Sequence, residues 1–219
     1  RSMGFDAFAE YYLPRGGLLS IGGFYKRIDN PIYSDEERFT DFTFEGVTYD
    51  EAEIEQTVNA DAGTLLGAEA TFDALLTFLP APFDGFGFSS NVAIIDSEVT
   101  VPGRDDELPF FGQSDFVLNL APYFQKWGLE TRVAWSYQSP ALIELEGPGN
   151  DRYDDRRSTV DVSASYALSS LFRSGNLTLF GKVRNITNEA ETRYQGSSTR
   201  YDRHVVYGRT FTLGVTTSF

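Results

Sequence analysis

Cysteine is absent from this 219-residue chain, and histidine and methionine occur once each, as His204 and Met3. The first absence excludes a disulfide scaffold and a thiol nucleophile, and with a single imidazole it leaves no basis for a His/Cys metal cluster. His204 lies in a polar, arginine-rich stretch with no serine flanked in the G-x-S-x-G manner, so it reads as a solvated loop histidine. No catalytic residue, metal or cofactor is therefore expected. Long apolar runs are missing too, and none approaches the roughly 20 residues that a spanning helix needs. Basic residues are scarce: 18 Lys and Arg against 32 Asp and Glu give a formal charge of −14. That excess repels a phosphate backbone and argues against a nucleic-acid partner. Arg1 opens the chain without a leader-like segment, which reads as a mature chain or a fragment. No Pro/Ser-rich linker divides it, so residues 1–219 are taken as one unit.

What the chain has is alternation. From Tyr207 to Phe219, Phe211, Leu213, Val215 and Phe219 fall on one side, and Thr210, Thr212, Gly214, Thr216 and Ser218 on the other. Leu129, Val133, Trp135 and Tyr137 likewise oppose Glu130, Arg132, Ser136 and Gln138, while Val160, Val162, Tyr166 and Leu168 oppose Asp161, Ser163 and Ser165. A period of two over such lengths predicts strands with two unlike faces. Strands are expected over 4–13, 18–27, 62–79, 85–99, 110–124, 128–139, 157–169, 176–187 and 207–219, with residues 53–60 either a tenth strand or the extension of a loop hairpin. Short turns alternate with long connections at 28–61, 100–109, 140–156 and 188–206, the pattern of an up-and-down meander.

The identity of the two faces separates the architectures open to a meander. A small soluble barrel fills its interior with bulky apolar groups, whereas here the second face is mostly Thr, Ser, Gly, Asn, Asp and Arg, which suits a hydrated lumen. Strands of this length match the 9–11 residues that cross a bilayer when tilted about 45°. Aromatics collect toward both strand ends, with Tyr11, Phe78, Phe83, Phe86, Phe124, Trp127 and Phe219 on the short-turn side and Tyr25, Trp135 and Tyr137 on the long-loop side. Interfacial girdles of a membrane barrel have that distribution. The expected fold is all-β, an antiparallel up-and-down transmembrane β-barrel.

Several stretches resemble the C-terminal part of a TonB-dependent receptor of the bacterial outer membrane. They are Ile21-Gly22-Gly23-Phe24-Tyr25-Lys26-Arg27-Ile28, Gly67-Ala68-Glu69, Gly85-Phe86-Gly87-Phe88 with Asn91, and Arg132-Val133-Ala134-Trp135-Ser136-Tyr137, followed by Asp161 with Ser165-Tyr166, Val183-Arg184-Asn185-Ile186-Thr187-Asn188, and Tyr207-Gly208-Arg209-Thr210-Phe211 through to Phe219. The resemblance implies that the chain supplies about ten C-terminal strands of a 22-stranded barrel. It implies as partners the remaining strands and a plug, in the same or a second chain. An inner-membrane TonB energy-transducing complex and outer-membrane lipid and lipopolysaccharide are implied as well. The implied function is active uptake of a scarce nutrient, a metal-siderophore, vitamin or oligosaccharide, into the periplasm, without covalent chemistry.

Under that resemblance the long connections are extracellular loops. The first is acidic, with Asp35, Glu36, Glu37, Asp41, Glu45, Asp50, Glu51 and Glu53 against Arg38, and it interleaves Tyr33, Phe39, Phe42, Phe44 and Tyr49. These rings, with Tyr153, are candidate ligand-binding residues; the plainer reading is a solvated acidic loop. Asp151, Asp154 and Asp155 beside Arg152, Arg156 and Arg157 point to salt-bridged loop packing or lipopolysaccharide contact rather than a cation site. Phe211, Leu213, Val215 and Phe219 resemble a C-terminal signal read by barrel-assembly machinery. Two other readings stay open at this point, a self-contained ten-stranded outer-membrane hydrolase and a soluble β-sandwich lectin or adhesin module.

Overall fold

The computed structural model describes residues 1–14, 16–168 and 176–218. Its strands in chain order are β1 (Ser2–Tyr12), β2 (Leu18–Asp29), β3 (Ile32–Phe44), β4 (Val47–Asn59), β5 (Ala62–Leu75), β6 (Phe86–Thr100), β7 (Phe116–Lys126), β8 (Leu129–Gln138), β9 (Ala141–Glu144), β10 (Arg152–Asp154), β11 (Arg157–Ala167), β12 (Asn176–Arg184), β13 (Glu191–Gln195), β14 (Tyr201–Val205) and β15 (Thr210–Ser218). Nine of them build one antiparallel sheet in the order β1-β2-β5-β6-β7-β8-β11-β12-β15. This sheet is the wall. Among the described residues β1 and β15 are its two edges and do not pair with each other. A barrel closed by this chain alone, as the hydrolase reading requires, is not formed, and the wall is a single layer rather than a sandwich.

Register carries the two-faced pattern from strand to strand, because residues directly opposite in an antiparallel pair share a face. Trp135 opposes Val160, and Val133 opposes Val162. Val162 opposes Val183, which in turn opposes Phe211. The other face runs through Arg132, Ser163, Lys182 and Thr212 in the same way. The apolar row is exposed, with Leu213 retaining 88% of its accessible surface and Ile21, Leu66, Ile94 and Val215 all open. So much uncovered apolar surface is foreign to a soluble monomer.

On the polar face, aromatic rings lie over glycines. Phe8 covers Gly22, Phe24 covers Gly67, Tyr123 covers Gly87 and Phe180 covers Gly214, each pair being register partners on adjacent strands. A Cβ on any of these glycines would fall within its ring. Without one, each ring lies down along the wall instead of standing out from it, and the glycine backbone is shielded.

Tight turns join the strands at one end. Trp127 and Gly128 both have positive φ, 57° and 76°, between the paired Lys126 and Leu129. That is the two-residue mirror-image turn whose twist matches the strands it joins. Phe83, Phe86, Phe124 and Trp127 form a chain of rings at this end, with centroids 6.2, 5.0 and 6.0 Å apart. Lys126 pairs with Asp84, drawing its carboxyl below the usual range, and sits 4.7 Å over the Trp127 ring.

At the other end the long connections are themselves folded. Residues 53–59 belong to β4, which pairs with β3 in a hairpin rising from the wall, and Ala60 follows it, so the wall passes directly from β2 to β5. Residues 110–115 are loop rather than strand, because Phe110 and Phe111 turn into a core among the loops and the ladder starts at Phe116. β9, β10, β13 and β14 make a separate four-stranded sheet in the order β14-β13-β10-β9.

Candidate functional site

The loop end is held by a small hydrophobic core of Tyr33, Ala60, Val99, Val101, Leu108, Leu142 and Leu145, flanked by Val58, Phe110, Phe111 and Tyr153. Leu142 is completely buried. Tyr33 stacks on Phe111 at 5.1 Å, and Tyr153 stacks on Tyr194 at 5.2 Å with the rings almost parallel. Burial pushes the phenols of Tyr33, Tyr153 and Tyr194 above the ordinary tyrosine value.

A buried ion pair ties this core to the loops above it. Arg104 donates from both terminal nitrogens to Asp151, at 3.0 and 2.6 Å, and both side chains are under a tenth exposed. Asp151 Oδ1 also accepts the backbone N–H groups of Glu146 and Gly147 at 3.1 and 3.2 Å. Arg104 further binds Asp106 at 2.7 and 2.6 Å; the guanidinium is held more firmly protonated by both partners, and the Asp106 carboxyl is lowered by it. Such a fork anchored on two carboxylates fixes direction as well as distance.

The outer sheet has one packed and one charged face. Leu142 and Tyr153 are register partners on the packed side. On the other side Arg152 meets Glu144 at 2.9 Å and Glu146 at 2.5 Å, Arg193 meets Asp154 at 2.8 Å, and Arg157 at the head of β11 meets Glu191 at 2.8 Å. Of the mixed charges of residues 151–157, Asp151, Arg152, Asp154 and Arg157 thus stand in salt bridges that pack the loops. Among the described residues no group of three or more His, Asp or Glu side chains is arranged to hold a metal ion.

The acidic hairpin β3–β4 carries the other rings. Asp41 at φ 55° bends β3, so that Phe39 and Phe42, three residues apart, meet at 5.5 Å. Phe44 and Tyr49 are exposed near the tip, which turns at Glu45 and Gly46. Arg38 contacts Glu53 and Glu146, and Asp35 bridges Leu145, which attaches the hairpin base to the outer sheet. Of the six candidate ring residues, Phe39, Phe42, Phe44 and Tyr49 stand on the outer part of the hairpin, Tyr33 (8% exposed) at its base belongs to the loop core, and the partly buried Tyr153 packs against that core.

His204 lies exposed on β14 with Nδ1 2.9 Å from Thr192 Oγ1. Asn185 and Asn188, both at positive φ, form a turn after β12, where the Asn185 amide donates to Glu189 and Gly208 carbonyls. Phe211, Leu213 and Val215 are exposed on the apolar side of edge strand β15; Phe219 lies outside the described residues. The alternation rule does not find Arg104, since its partner is 47 residues away and neither stands in a wall strand.

A family model described as the TonB-dependent receptor-like β-barrel matches residues 1–186. No curated protein matches the chain in sequence. Among solved structures the chain is similar to the FrpB iron transporter of Neisseria meningitidis, at 16% identity and a TM-score of 0.60, covering 98% of this chain and 30% of that one. Two mutants of the ferric enterobactin receptor PfeA of Pseudomonas aeruginosa match at 16% identity and a TM-score of 0.57, each covering 99% of this chain and 31% of the other. The chain thus spans under a third of the length of these structures. With a profile match over most of its residues, the same strand architecture and a two-faced wall, the chain belongs to the TonB-dependent receptor-like β-barrel family.

Proposed function

We propose that the chain is the C-terminal portion of an outer-membrane receptor barrel that takes up a scarce nutrient by TonB-dependent active transport. The observation that carries this reading is the nine-stranded wall with one exposed apolar face, one polar face and two open edges. Unpaired edges and a lipid-facing row require further strands in the bilayer, where every backbone group needs a partner. The remaining strands and a plug complete the unit, with the apolar rows against lipid and the long loops outside the cell beside lipopolysaccharide. An inner-membrane TonB complex supplies energy through the plug. The names of the iron transporter and ferric enterobactin receptor above favour a metal-siderophore among the ligand classes, ahead of a vitamin or oligosaccharide.

The hairpin rings Phe39, Phe42, Phe44 and Tyr49 meet the ligand, while Tyr33 and Tyr153 hold the loops that present it. Phe211, Leu213, Val215 and Phe219 act during assembly as the strand offered to the insertion machinery. The test is nutrient uptake by cells with and without the receptor, repeated with a protonophore. Energy-dependent accumulation lost on receptor deletion is expected. Accumulation that survives the protonophore contradicts active transport.

A further inference from the structure

The strongest unassigned feature is a cleft of about 120 Å³ where the charged face of the outer sheet meets the top of the wall. Four arginines line it, Arg156, Arg157, Arg193 and Arg203, against three carboxylates, Asp154, Asp155 and Glu191. Asp154 and Glu191 are committed to Arg193 and Arg157, and Asp155 accepts the backbone N–H of Arg156 at 2.7 Å. Arg156 and Arg203 have no ion pair among the described residues. Moreover, Arg193 and Arg203 are direct cross-strand partners, an arrangement in which like charges repel. Four guanidinium groups against three carboxylates leave this cleft net positive in a chain of formal charge −14, and an anion placed between the guanidinium groups would offset the repulsion.

The polar wall below continues the same sign. Gln138 and Arg157, register partners, belong to the face that carries Arg132 and Lys182. Arg184 shares it, while Glu130 and Asp161 are the acidic residues there. The opposite end of the sheet reverses the balance on the same face, with Asp6, Glu10, Glu69 and Asp73 against Lys26. Arg132 is 5.0 Å from the Tyr123 ring and has no ion pair among the described residues.

We propose that the Arg156/Arg157/Arg193/Arg203 cleft is an anion-recognition site at the mouth of a basic lane down β8, β11 and β12, and that the receptor's ligand is a multiply charged anion. This rests on the uptake reading and narrows its ligand class, setting neutral oligosaccharides and neutral vitamins aside. Guanidinium forks suit carboxylate or phosphate oxygens equally, and the cleft lies on the polar side of the wall, away from lipid.

The test uses the complete receptor purified in detergent, with citrate and pyrophosphate as anionic probes and maltotriose as the neutral control, in equilibrium dialysis at low ionic strength. Both anions bind and the trisaccharide does not; replacing Arg156→Gln and Arg203→Gln together weakens anion binding by roughly tenfold or more. Lys26→Gln, at the opposite end of the sheet and outside the lane, leaves that binding within about twofold. Heat-modifiable gel mobility verifies that every variant is an assembled barrel. Failure of both anions to bind, or binding unchanged by the paired arginine substitutions, overturns the proposal. Because binding is read without an energy source, that failure is distinct from loss of active uptake.

Discussion

Phe24 lies flat over Gly67, its register partner on the neighbouring strand, in the space that a Cβ would occupy. Gly67→Ala therefore drives the ring off the wall and costs about 1–3 kcal/mol, the usual range for overpacking. Phe24→Ala combined with Gly67→Ala recovers part of that loss, since the two residues share one space. Chemical denaturation of the four members of this cycle gives the coupling; strictly additive effects contradict the ring-on-glycine account.

The Arg104–Asp151 fork leads to a prediction for the loops. Arg104→Met leaves Asp151 buried without its cation and costs roughly 3–5 kcal/mol of loop stability. Hydrogen exchange reads it where Asp151 holds the chain, at the amides of Glu146, Gly147 and Gly196. Wall amides keep their protection.

The second carboxylate on Arg104 sets a pH dependence. The Asp106 carboxyl is lowered from 3.8 in the folded protein, chiefly by its hydrogen bond to Arg104. Its contribution is complete above that ordinary value and is lost as pH falls through the lowered one. Asp106 is half exposed, so the effect is modest. Asp106→Asn removes the acid-side decline in loop protection and leaves the neutral-pH exchange of wall amides unchanged.

Position on the wall separates otherwise similar substitutions. Val162→Arg places a charge on the apolar row and costs roughly 2–4 kcal/mol near the bilayer midplane. Thr212→Arg, on the polar face, stays within about 0.5 kcal/mol, the ordinary surface range. Equal losses from unfolding in lipid vesicles contradict the face assignment.

Replacing Phe39, Phe42, Phe44 and Tyr49 together by Ala lowers uptake while leaving assembled receptor at its normal level. The rings are not part of the loop core, so the barrel does not depend on them. Unchanged uptake makes the hairpin a solvated acidic loop and nothing more.

The wall was legible because each of its strands sets apolar groups against small or polar ones. Leu129, Val133 and Trp135 alternate with Glu130, Arg132 and Ser136, and the register with β11 keeps them so. The loop strands were not legible for the opposite reason. In β13, Glu191-Thr192-Arg193-Tyr194-Gln195, specificity comes from charges and rings on other strands, such as Asp154 and Tyr153, rather than from a hydrophobic period. Phe110 and Phe111 extend the apparent alternation of β7 toward its N-terminal side, yet they leave the ladder to complete the loop core. Of the candidate rings, exposure on the hairpin followed from the acidic context of Phe39 to Tyr49, whereas burial of Tyr33 depended on Leu142 and Leu145, more than a hundred residues later.

The central claim is that this chain is barrel wall with lipid on one side and water on the other. The absence of cysteine allows single cysteines to be read against no background from this segment. In the assembled receptor in lipid vesicles, cysteines at Val133, Val162 and Val215 are expected to react with a membrane-soluble maleimide and to be shielded from a charged aqueous one. Cysteines at Arg132, Ser163 and Thr212 are expected to show the reverse. The same labelling at adjacent positions, or the two sets exchanged, would contradict the account.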